Sequence, residues 1–452
     1  MRLGLSAPQR RRLEALRKVV PGRAHLVDSR VEPFGDESLL RARLSNGLTV
    51  LVLEDHTAPI VAVHSWFNVG SRCEKAGKTG ISHLFEHLMF GATKNSRAGA
   101  FDRRLEAVGA ETNAATWCDW TVYHETVPAD AVRLALRLEA DRMANLILHA
   151  PEVASEKEVV ANERRLRVED DLEGWASEKL WALAYEQHPY GIPTLGSMED
   201  ILAFTPEDCA AFYSTYYAPN ACTLVVVGAL DPAKAVGLVL ESHGHLAPST
   251  LPAEDLEPEP PQRAPRRLEA RKPTATERLN IAFHGPALGD ADHAAMSLLV
   301  EVLTGGRGSR LHQALVRGRE LATDISASCG SFRDPGLVEL SATARPGVSA
   351  AVLERALDDE LARVCTELVD AEALAGAVTR LELGLAQSLE TANGKAELIG
   401  FFESVLGEPG APFQRLRQWQ RTTLSDIRRA ARRYFRPDGK NSVVLLPEVG
   451  SA

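Results

Sequence analysis

One pattern in this chain occurs twice, and it limits the possible folds more than any other feature. Thr205-Pro-Glu-Asp-Cys-Ala-Ala-Phe-Tyr-Ser-Thr-Tyr-Tyr-Ala-Pro219 runs into the apolar Cys222-Thr-Leu-Val-Val-Val-Gly228. Thr423-Leu-Ser-Asp-Ile-Arg-Arg-Ala-Ala-Arg-Arg-Tyr-Phe-Arg-Pro437 runs into Asn441-Ser-Val-Val-Leu-Leu-Pro447. Each copy has a capping threonine, a helix-length stretch, an aromatic pair, a proline and a strand, and threonine and proline are 14 positions apart in both. A commonplace helix–turn–strand could recur by accident. Here, however, each copy closes a block of about 200 residues, as a duplicated domain would. At 452 residues the chain also exceeds one ordinary core.

Between the blocks, Leu246 to Pro273 holds six prolines before its last, among acidic and then basic residues. Such a stretch reads as a semi-extended linker. The expected division is a basic extension over 1–24, a first domain over 25–246, a linker over 247–273 and a second domain over 274–452. In the first block, Leu48–Leu53 and Ile60–Phe67 read as strands, and 130–147 and 151–168 as helices. The second block opens with a strand near Leu279–Phe283 and a helix over about 290–304. Strands and helices mix without strict alternation. The expected class is therefore α+β: two tandem homologous domains, each a largely antiparallel sheet with helices packed on one face.

Composition narrows the function classes. The net charge of −10 argues against a nucleic-acid partner, and no apolar run is long enough to suggest a membrane span. Six scattered cysteines (73, 118, 209, 222, 329 and 365) form no C-x-x-C pair and read as reduced thiols. The segment from Met1 to Arg23 is basic but lacks the apolar centre of a secretory signal. Leu13, Leu16 and Val20 suggest a short amphipathic helix there. A cytoplasmic location is the simplest expectation, with a targeting role for the Arg-rich start as the alternative.

The chemistry-bearing motif is Ile81-Ser-His-Leu-Phe-Glu-His-Leu-Met-Phe-Gly91. His83, Glu86 and His87 stand at i, i+3 and i+4, so on a helix they share one face. Two imidazoles a turn apart can grip one metal ion, and the carboxylate beside them is placed to take a proton from water. This H-x-x-E-H order is an inverted zinc-hydrolase signature. A core helix with buried histidines would be the default for an isolated match.

Catalytic zinc usually has a third protein ligand. Ala154-Ser-Glu-Lys-Glu-Val-Val-Ala-Asn-Glu-Arg164 offers Glu156 and Glu163, seven apart on nearly the same helical stripe, while Glu158 points elsewhere. Periodicity does not choose between them.

The succession from Phe101 through Gly109-Ala-Glu-Thr-Asn-Ala-Ala-Thr-Trp117 to Pro128, then Leu138-Glu-Ala-Asp-Arg-Met-Ala-Asn145, closely resembles the pitrilysin/insulinase family of zinc metallopeptidases. The likeness is strongest to its half-length members related to mitochondrial processing peptidase, and it extends from about residue 40 onward. It implies one Zn2+ per chain, held by His83, His87 and Glu163, with Glu86 as catalytic base. Glu156 would be a neighbouring carboxylate that fixes an imidazole. The resemblance also makes residues 109–117 an edge strand to which a peptide substrate adds through main-chain hydrogen bonds, with Asn113, Ala114 and Ala115 in contact.

One departure stands out. Active members carry an arginine and a tyrosine seven residues apart in the C-terminal half, and in the matching register this chain has Val316 and Thr323. Arg317 and Arg319 lie close by without a tyrosine at the required offset. The resemblance thus implies the zinc-bearing subunit of a heterodimeric endopeptidase for extended or unfolded peptides, with a sister chain supplying the missing pair. The alternatives are a non-catalytic peptide-binding or assembly subunit that retains zinc, and a zinc hydrolase with a non-peptide substrate.

Overall fold

The computed structural model describes residues 4–254 and 256–448. Its strands form two separate sheets. The first is built from β1 (Leu26–Phe34), β2 (Glu37–Leu44), β3 (Thr49–Glu54), β4 (Ile60–Phe67), β5 (Glu111–Thr116), β6 (Thr121–Pro128) and β7 (Cys222–Gly228), in the order β1-β2-β3-β7-β4-β6-β5. The second contains β8 (Arg266–Lys272), β9 (Arg278–His284), β10 (Ala322–Cys329), β11 (Leu337–Ala344) and β12 (Asn441–Pro447), in the order β10-β11-β9-β12-β8. Every pairing is antiparallel except β3 with β7 and β8 with β12.

Those two exceptions establish the duplication. Helices Pro206–Tyr216 and Leu424–Tyr434 both begin with a capping box, Thr205 with Asp208 and Thr423 with Asp426. Such a cap satisfies two orphan N–H groups and contributes about 1 kcal/mol. Each helix then feeds a strand into the same slot. β7 enters between β3 and β4, and β12 between β8 and β9, parallel to the first neighbour and antiparallel to the second.

The α+β class is as expected, but both faces of each sheet are covered, not one. Along β4, Val61, Val63 and Phe67 enter the main core, while Ala62 and Trp66 face a smaller cluster with Ala392, Ala396 and Ile399 of helix Ala392–Leu406. Lys395 of that helix bonds Asp55 at 2.8 Å and Glu37 at 3.0 Å, and Arg41 holds Glu403 through two hydrogen bonds. In the second sheet, helix Leu172–Ala184 packs against β8, β9 and β12. All seven residues of β7 are buried, as a strand covered on both sides requires.

This second cover changes the division of the chain. The compact units interleave: one comprises residues up to Asn162 with Thr194–Asp255 and Ala386–Phe413, the other Glu163–Pro193 with Leu256–Leu385 and the chain from Gln414. The contiguous blocks read from the sequence miss this exchange, because one helix of each half completes the other half's sheet.

Two smaller expectations also change. The end of the supposed linker is strand β8, whose residues alternate between half-buried and exposed beside β12. Its charges mark a protected sheet edge, not an unstructured tether. The N-terminal helix is shorter than expected, Ala7–Ala15, and Pro21 and Gly22 follow it in a turn. Only Leu13 is fully buried, against helix Pro232–His243, and Val20 is exposed. The extension is thereby part of the first unit. All six cysteines are free thiols, and no helix among the described residues is long and apolar enough to cross a membrane.

Candidate metal centre

The motif forms helix Ile81–Leu88, which packs against β5 and β6. Its start is set across a loop. The Glu74 carboxylate accepts from the backbone N–H groups of Gly80 at 2.7 Å and Ser82 at 2.8 Å, doing the work of a cap. Burial pushes this carboxyl up to about 8 against the opposing pull of those two donors. Gly80 has φ 88°, and a Cβ there would lie 2.6 Å from the Leu195 carbonyl oxygen, so only glycine fits.

From this helix His83 is buried, and Glu86 and His87 are half-buried. The two imidazole centroids lie 5.0 Å apart. Helix Ala150–Arg164 brings the carboxylates, Glu156 in its middle and Glu163 in its last turn. Donor atoms of His83, His87 and Glu163 all lie within 4.8 Å of one another. Two imidazole nitrogens and one carboxylate oxygen gathered this closely are a donor set of the kind that holds a catalytic zinc. Glu163 also forms an ion pair with Arg167 Nε at 3.0 Å, and a π-helical turn, Arg165–Glu169, follows at once. Glu156 approaches His87 Nδ1 at 3.9 Å, an electrostatic neighbour beyond hydrogen-bond length.

Beside the motif helix, β5 is an edge strand, paired among the described residues with β6 alone. Asn113 is exposed there, and its side-chain oxygen accepts from the Ala114 N–H at 2.9 Å. Ala114 and Ala115 are half-buried.

Residues 49–198 match the insulinase (peptidase family M16) profile, and residues 203–381 match the peptidase M16 inactive domain. The zinc protease PqqE of Helicobacter pylori is 30% identical over 415 residues, covering 89% of this chain and 92% of that protein. The chain belongs to the insulinase family, peptidase family M16. Among other M16 relatives, an uncharacterized zinc protease of Mycobacterium tuberculosis, Rv2782c, is 29% identical across 87% of this chain and 90% of its own length. The crystal structure of a protease from Helicobacter pylori superposes with a TM-score of 0.87 at 27% identity, over 91% of this chain and 100% of that one. A peptidase M16 inactive domain from Pseudomonas fluorescens shares the fold, with a TM-score of 0.81 at 20% identity over 94% and 98% of the two chains.

The M16 resemblance assigns no place to three groups that support the motif helix: Glu74, Tyr123 and Arg142. Tyr123 donates to the Phe85 carbonyl at 3.0 Å and shares a 3.1 Å hydrogen bond with the Tyr217 hydroxyl. The Arg142 guanidinium lies 4.5 Å from the Tyr123 ring centroid and 4.4 Å from that of Phe101. A buried arginine among aromatic rings leaves no periodic trace, so only the repeated apolar pattern around it could have hinted at its burial.

At the departure from the M16 pattern, Val316 lies in a π-helical turn, His312–Gly318, partly buried against the second core. Thr323 is exposed where β10 bulges between Ala322 and Asp324, its hydroxyl donating to the Thr343 carbonyl at 3.3 Å. Neither side chain is cationic or phenolic.

Proposed function

We propose that this chain is the zinc-bearing subunit of an endopeptidase for extended or unfolded peptides, acting with a homologous sister that supplies the arginine and tyrosine. The observation that carries this reading is the convergence of His83, His87 and Glu163 within 4.8 Å, with the histidine helix packed against an edge strand. Zinc, when bound, acidifies water and polarises a scissile carbonyl. Glu86, on the same helical face as the histidines, takes the proton from the attacking water and delivers it to the leaving amine. β5 holds the substrate main chain as an added strand, with Asn113, Ala114 and Ala115 along it. Glu156 biases the His87 imidazole electrostatically from 3.9 Å.

Val316 and Thr323 favour a second reading, in which the chain binds peptides or assembles with a partner but does not cleave. One experiment separates the two. Hydrolysis of a quenched peptide is measured with the chain alone, with its sister, and with Glu86→Gln in the pair, alongside zinc content. Cleavage by the pair that Glu86→Gln abolishes at full zinc occupancy supports the enzyme. Zinc without cleavage supports the binding subunit. Full activity of the chain alone refutes the division of labour.

A further inference from the structure

Helix Leu424–Tyr434 carries Arg428, Arg429, Arg432 and Arg433, which with Ser425 line one hollow of about 390 Å3. Two of the four guanidiniums are anchored. Asp292, whose side chain is only 3% exposed, accepts from Arg433 Nη1 at 2.7 Å and also from Arg429 Nη1. Arg429 reaches Asp426 as well, at 3.2 Å. Arg428 and Arg432, one turn apart, have no carboxylate partner among the described residues.

A solvated basic face would be the ordinary explanation, and the duplication supplies an internal control against it. Aligning Thr205 with Thr423 places Ala210, Ala211, Ser214 and Thr215 where the four arginines stand. The first copy makes the same capped helix and feeds the same strand slot with no basic residue on the helix. The repeated architecture therefore does not require the arginines. Like charges one turn apart repel, so the second copy carries a cost that the first lacks.

We propose that this arginine platform docks an acidic segment of a partner protein. Guanidinium forks recognise carboxylates pairwise, and Asp292 holds half of the platform ready. A net charge of −10 on the whole chain disfavours a long polyanion such as nucleic acid. No large apolar side chain of this helix is exposed, so a membrane surface would find nothing to insert. Acidic residues at i and i+4 of a helix, or i and i+2 of a strand, match the roughly 6 Å separation of Arg428 and Arg432. This inference uses the second unit alone and stands apart from the zinc chemistry.

The test is anisotropy of a fluorescent Glu–Ala repeat peptide titrated with the full chain at low and high salt. The variant pairs Arg428→Ala with Arg432→Ser, the residues the first copy carries, and leaves the Asp292 pairs intact. We expect salt-sensitive binding by the natural chain, weakened about tenfold in the double variant at an unchanged melting temperature. Absence of binding, or equal binding by the variant, overturns the proposal. So does binding of inorganic triphosphate, DNA or anionic vesicles where the peptide does not bind.

Discussion

The Tyr123 hydroxyl donates a 3.0 Å hydrogen bond to the carbonyl of Phe85, the residue immediately before Glu86. The motif helix is thereby tied to the sheet next to its proposed base. Burial, together with the neighbouring Tyr217, holds the Tyr123 phenol well above its ordinary range and keeps the donor protonated. Tyr123→Phe preserves the ring and removes this bond together with the one to the Tyr217 hydroxyl. Expected are a loss of about 1–2 kcal/mol in stability and a fall in kcat with zinc content unchanged. An unaltered kcat would show that the tie does not position Glu86.

Arg142 bonds Glu125 at 2.9 Å and also contacts Glu139, which in turn accepts from the Ser65 hydroxyl at 2.6 Å. All three charged side chains are at most 2% exposed. Arg142→Met strands two buried carboxylates and should cost about 3–5 kcal/mol in chemical denaturation. Adding Glu125→Gln and Glu139→Gln removes the stranded charge, so the triple variant should recover part of the loss.

Gly400 faces Trp66 so closely that an added Cβ would lie 1.9 Å from the indole nitrogen. Trp66 is 1% exposed and cannot yield. Gly400→Ala should therefore destabilise by about 1–3 kcal/mol or more. Gly237→Ala, with nothing within 4 Å, should stabilise its helix by about 0.5–1 kcal/mol. Thermal melts of the two variants should move in opposite directions.

Three buried histidines give the fold an acid-sensitive component near neutral pH. Burial pushes His64 down to about 3, assisted by His124 opposite it, and pushes His243 and His293 down to about 4. These folded values lie below the unfolded one near 6.5, so the unfolded chain takes up protons first as pH falls. The contribution of each of these histidines is complete above about pH 7 and is lost below 6.5, by about 2 kcal/mol per histidine at pH 5. The melting temperature of His64→Gln should depend less steeply on pH over this window than that of the natural chain. Parallel slopes would rule out His64 as a contributor.

What the sequence made legible was local. Strands over 49–54 and 60–67, the motif helix, the helix carrying Glu156 and Glu163, and the threonines that cap the two repeated helices follow from periodicity and from the repeat. The convergence of Glu163 with His83 and His87 was legible only through family likeness, because 76 residues separate it from His87 and one charged helix looks like another. The cap from Glu74 and the Arg142 cluster were not legible, since both act across loops. Helix Ala392–Leu406 has an ordinary apolar stripe, and nothing in that stripe says which sheet it will cover.

That exchange of covers has a practical result. Cutting the chain in the exposed Pro-rich stretch that precedes β8 should not liberate two freestanding modules, since each sheet would surrender a lid built from the other fragment. The nicked protein should migrate as a single species until denaturant is added. Fragments made separately should gain structure only when mixed, which makes the two halves of this polypeptide obligate complements.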